Sequence, residues 1–143
     1  MNKQEYQHIR NLAWDILNKA KIQALPIDIA SIAKLYNVEN YLKHSETLYN
    51  NTVIVSTQIL EIYGYNADFA KYLAIRLMSP IIILKELKIT SVEDIVNITG
   101  LPLNIAKKRY ERYQMLLVRN AFETSHLETK VLNQFQDWLN QYN

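Results

Sequence analysis

The chain contains no cysteine, so disulfides and thiolate metal sites are excluded at the outset. It has only two glycines, Gly64 and Gly100, in 143 residues. Tight glycine turns are therefore scarce, which argues against a sheet built from many hairpins and favours helices. The same scarcity rules out a glycine-rich phosphate loop. An excess of one charge is also lacking: 16 Lys and Arg against 14 Asp and Glu leave a net charge of +2. That balance indicates neither nucleic acid nor a membrane surface by itself. No apolar run reaches the ~18 residues that a spanning helix needs. The opening MNKQEYQHIR is too polar for a secretory signal, so the expectation is a cytoplasmic protein without membrane contact.

What is present is apolar side chain in quantity, 49% of residues, on a length that suits one domain with a sizeable core. The pattern reads as α+β, mostly α. About five or six helices are expected, with a two- to three-stranded sheet in the first half and a helix-turn-helix-like pair in the second. Three parts of one domain follow: 1–66 with the first helices and the sheet, 67–119 with a central helix and the helix pair, and 120–143 with a docking helix.

In chain order, Tyr6, Ile9, Ala13, Ile16, Leu17 and Ala20 recur at helical steps over 3–23. Pro26 ends that element, and a short helix is expected over 28–36. Residues 38–42 and the β-branched TVIVS at 52–56 read as strands, with 48–51 as a hairpin turn between them. The central stretch 70–87, AKYLAIRLMSPIIILKEL, is the longest nearly apolar segment and carries Pro80. Ser91 is a candidate N-cap, Gly100 a turn residue, and 102–119 a long helix with Leu103, Ala106, Tyr110, Tyr113 and Leu117 on its inner face. Ser125 and Glu128 form a capping box before a last helix whose stripe is Val131, Leu132, Phe135, Trp138 and Leu139. That stripe suits packing within the chain, or else contact with a partner or a second copy in a homodimer.

Residues able to carry chemistry are few. The three histidines, His8, His44 and His126, are never one helical turn apart, so an HExxH pair cannot form on a helix. There is no GxSxG, and no carboxylate pair stands out for acid–base work. No catalytic residue, metal ligand or cofactor is therefore assigned. The remaining signal is basic. Taking ~100° per residue, Lys108, Arg112 and Arg119 lie about 140–180° from Leu103, with Lys107 and Arg109 towards the flanks. These five residues are the candidate nucleic-acid contacts, set against the plainer reading of a solvated basic face.

The central LAIRLMSPIIILKEL resembles the "FA-x-x-LLMP-x-x-x-L" segment of the ImmA/IrrE family of zinc metallo-endopeptidases, found in phages and mobile elements. LPIDIASIAKLYNV is similar to that family's N-terminal element. ITSVEDIVNITGLPLNIAKKRYERYQMLL is similar to the helix pair after its LLMP segment, and RNAFETSHLETKVLNQFQDWL to a tail in some members. The four segments occur in the family's order over roughly three quarters of the chain. The resemblance implies that residues 81–84 are helical.

The departures from the family are at the ligands. The family's HExxH helix would fall in 57–66, TQILEIYGYN, which has no histidine. The third ligand would fall at Phe69 or Ala67, neither of which binds zinc. The resemblance thus implies a shortened, non-catalytic relative whose partner is a protein, such as a repressor or host regulator. Without a covering catalytic helix, Phe69, Leu73 and Met78 would offer an apolar groove to that partner. DNA binding through 91–119 is the alternative, and a zinc peptidase with a relocated site is a remote third.

Overall fold

The computed structural model describes residues 1–39, 41, 47–119 and 125–142. Among them there is no strand, and the α+β expectation is corrected to an all-helical fold. The helices are α1 (Lys3–Lys19), α2 (Ile29–Leu35), α3 (Leu48–Ile62), α4 (Ala70–Met78), α5 (Ile81–Glu86), α6 (Val92–Thr99), α7 (Leu103–Arg119), α8 (His126–Gln134) and α9 (Gln136–Tyr142). A 3-10 turn, Ala67–Phe69, leads into α4.

The second expected strand, TVIVS, lies inside α3. Thr47 starts this helix by accepting the Asn50 amide on its side chain at 3.2 Å. Thr52 and Thr57 donate their hydroxyls to the carbonyls of Leu48 and Val53 at 2.7 and 2.9 Å, which lets polar β-branched residues sit within a helix. Val55, Ile59 and Leu60 are then fully buried, and that burial outweighs a β preference spanning only ~1 kcal/mol. The other expected strand, 38–42, lies partly outside the described residues, and Val38 itself follows the end of α2.

Helix ends show how the chain manages with two glycines. Four helices close with the same pair of hydrogen bonds. After α1, for example, the Ile22 amide donates to Leu17 O (3.1 Å) and the Lys21 amide to Asn18 O (3.2 Å). This closure needs a residue with positive φ. Glycine supplies it after α3 (Gly64, φ +74°), but Lys21 (+55°), Asn37 (+55°) and Lys88 (+56°) supply it after α1, α2 and α5. The next residue is apolar each time, and Ile22, Val38 and Ile89 are buried, so each closure pins a helix end to the core. Gly100 (φ +78°) turns the chain from α6 towards α7 as expected.

Pro80 divides the central stretch into α4 and α5. Proline disfavours helical geometry in the residue before it, and Ser79 sits at φ −137°, ψ 66°. The helical expectation for 81–84 agrees with α5. Ser91 and Ser125 cap α6 and α8, accepting the amides of Asp94 (3.1 Å) and Glu128 (3.2 Å). The Asp94 carboxylate accepts from the Thr90 amide and hydroxyl, and the amide bond above all holds its pKa below the usual value.

One hydrophobic cluster runs from Ile9 to Leu139. Helix α4 packs against α3 and α1, and the C-terminal α8 packs on α1. The tail's apolar stripe is therefore used within the chain: Val131, Phe135 and Leu139 are buried. Polar contacts fix its register, since the Gln134 amide donates to Leu17 O (2.8 Å) and Ile22 O (2.7 Å), and Asn18 donates to Leu127 O (3.3 Å). Among the described residues no helix is long and apolar enough to cross a membrane.

Candidate interaction face on α7

The groove expected at Phe69, Leu73 and Met78 is not open. Helix α3 lies along α4, and Leu73 and Met78 are both 0% exposed; Phe69, on the 3-10 turn, is half-buried. Fully burying each of these large side chains stabilises by roughly 1.5–3 kcal/mol, so neither Leu73 nor Met78 is available to a partner without opening the core. Residues 57–62, part of the interval where the family's HExxH helix would fall, form the last part of the covering helix α3.

The helix pair is present, with α6 packed on α7 across Gly100. Tyr110 ties α7 back to the start of the pair by donating its hydroxyl to Thr90 O at 2.8 Å. The phase of α7 differs from the sequence reading. Its buried face is Ala106, Arg109 and Tyr113, whereas Leu103 (52% exposed) and Leu117 stand outside. Ala106 and Tyr113 are buried as expected, and taking ~100° per residue the buried face is turned by roughly 50° from the centre of the expected one.

Lys107, Lys108, Arg112 and Arg119 are exposed, as a contact face requires. Arg109 is not, and its assignment to a nucleic-acid face is corrected. It is 8% exposed and donates from Nε to Ser79 O (3.2 Å) and Ser79 Oγ (2.9 Å), and from Nη2 to Ser79 O (2.5 Å). Ser79 is the C-cap of α4, so the guanidinium caps a helix end whose carbonyls lack intrahelical donors. Burial first, then the Arg76 and Arg112 charges, push its pKa down from the ordinary arginine value. A guanidinium nevertheless stays charged in a protein.

Sequence reasoning missed the apolar content of the outer face. Leu103, Met115, Leu117 and Val118 are exposed large hydrophobic residues on α7, Val118 at 88%. Met115 and Val118 line a shallow depression with Glu111, Gln114 and Arg119. Only Met115 and Val118 are apolar on this part of the face, beside the polar Glu111 and Gln114, so a hydropathy pattern gives no second stripe there.

Of the histidines, His8 stacks on Tyr65 with ring centroids 5.8 Å apart, His126 opens α8, and His44 lies outside the described residues. Among the described residues, no three His, Cys, Asp or Glu side chains gather closely enough to hold a metal ion. No protein-family model, curated protein or solved structure matches the chain.

Proposed function

We propose that this protein is a non-catalytic, cytoplasmic regulator of phage or mobile-element origin that acts by binding a protein partner such as a repressor or host regulator. The observation that carries this reading is the outer face of α7, where exposed Met115 and Val118 share a face with the exposed basic residues Lys107, Lys108, Arg112 and Arg119. Apolar residues bordered mainly by basic side chains, with Glu111 the one acid in the depression's lining, suit a partner with an apolar patch in an acidic surround. The four-segment resemblance to ImmA/IrrE peptidases, with residues that cannot bind zinc at the expected ligand positions, supports a regulatory rather than a hydrolytic role. A Met115→Ser/Val118→Asp variant should melt like the wild type and lose capture of the partner from host extract. One tightly bound zinc per purified chain would overturn the non-catalytic reading.

DNA binding is the second reading, supported by the four exposed basic residues on the second helix of the pair. It requires affinity that falls steeply with salt, as counterions are released from phosphates. A Lys108→Ala/Arg112→Ala variant that bound duplex DNA as the wild type does would remove this reading.

A further inference from the structure

A narrow cleft between α1, α4, α5 and α7 is lined by Ala13, Trp14, Arg76, Pro80, Ile81 and Arg109. Every polar side-chain group on that lining is a donor. The Trp14 Nε1–H and the Arg76 Nε–H are buried with no hydrogen-bond partner among the described residues. Trp14 is 4% exposed. Arg109 uses Nε and Nη2 on Ser79, leaving Nη1 without a hydrogen bond among the described residues. The Arg76 and Arg112 charges both bear on Arg109, and no carboxylate among the described residues forms an ion pair with Arg76 or Arg109.

Two neighbouring guanidiniums with no opposing charge are an expensive arrangement in a partly dry site. An unpaired charge is disfavoured as it leaves water, and an unmet buried donor is destabilising. Structural capping by Arg109 accounts for the Ser79 contacts alone. It does not account for Arg76 lining the same cleft as Arg109, or for Trp14, also on that lining, having a buried indole N–H without a partner among the described residues. We propose that this cleft is a binding site for a single carboxylate group, received by Arg76, Arg109 and the Trp14 indole N–H.

A carboxylate fits better than a phosphate because the cleft is narrow and only single donors remain, the Arg76 Nε–H, the Arg109 Nη1 and the Trp14 indole N–H, which suit two oxygens better than a larger oxyanion. In the present arrangement the cleft is too tight for a water molecule, and Arg76 is its movable wall. This side chain is half-buried, donates from Nη2 to the Tyr72 hydroxyl at 2.7 Å and lies 4.9 Å from the centre of the Tyr72 ring. Entry of a carboxylate therefore requires Arg76 to release Tyr72 and turn outward. The site is separate from the outer face of α7 and does not depend on the partner proposed for that face.

The test uses the full chain labelled with 15N. Sodium acetate is titrated against sodium chloride at constant ionic strength, with the Trp14 indole and the Arg76 and Arg109 Nε–H resonances followed by NMR. Saturable shifts of all three with acetate, absent with chloride, are expected, together with a melting temperature that rises with acetate concentration. Arg76→Gln keeps Arg109 and its Ser79 contacts, so it should fold, and should weaken the acetate effect at least tenfold. Matching shifts with chloride, or wild-type acetate binding by Arg76→Gln, would overturn the site. Inorganic phosphate binding more tightly than acetate would overturn the carboxylate assignment. The source of the group is separated by a blocked Gly-Asp-Gly peptide. Binding at least as tight as acetate assigns the site to an acidic side chain of a polypeptide, and exclusion of the peptide while acetate binds assigns it to a free small carboxylate.

Discussion

At Lys21 and Lys88 the backbone holds a conformation that costs an L-residue roughly 1–2 kcal/mol relative to the right-handed region. Both side chains are exposed, so each position can be changed without disturbing the core. Lys21→Gly and Lys88→Gly should each raise stability by about 0.5–1 kcal/mol, less than the full cost because glycine also loses more freedom on folding. The two gains should add in chemical denaturation, since the sites are distant. Gly64→Ala is the opposite control. Nothing lies within 4 Å of an added Cβ there, so any loss would come from the positive φ alone and should be about 1 kcal/mol. A wild-type melting curve for both lysine variants would show that these helix ends are relaxed in a way their dihedrals do not suggest.

Among the elements, α3 carries the largest difference between pattern and fold. If it is a helix, the 13Cα shifts of Thr52, Val55 and Ser56 should all lie on the helical side of random coil, and Ile59→Ala should cost roughly 2–5 kcal/mol in chemical denaturation. A strand over 52–56 would reverse the shifts. Starts and stops of the helices were legible because they depend on local chemistry: Ser91 and Ser125 cap, Pro80 interrupts, and Gly100 turns. The nature of α3 was not legible, because its β-branched residues favour a strand locally and only the neighbouring α4 makes a helix the better burial. The candidate site was legible in part. Lys107, Lys108, Arg112 and Arg119 are on the surface as read, but Arg109 was misplaced. A hydropathy pattern scores arginine as solvent-facing and cannot register that Arg109 caps a helix 30 residues earlier in the chain.

For the whole molecule, the decisive contacts join the two ends of the sequence. Gln134 donates to the carbonyls of Leu17 and Ile22 from 117 and 112 residues away. Gln134→Ala should destabilise by about 1–3 kcal/mol, because the buried Ile22 carbonyl loses its side-chain donor. Gln134→Glu offers two acceptors to two carbonyls and should cost at least as much in thermal denaturation at neutral pH. Equal stability of the alanine variant and the wild type would mean that the tail is held by Val131, Phe135 and Leu139 alone.

The same contacts bear on how the protein is made. On the ribosome α1 is synthesised well before α8, whose residues from beyond position 125 cover it. Contacts of such sequence separation form late and slowly. Until α8 emerges, the apolar side of α1, with Ile9, Ile16 and Leu17, has no C-terminal cover and is a natural client surface for chaperones that hold nascent chains. The chain must therefore be translated through α8 before α1 acquires its final environment.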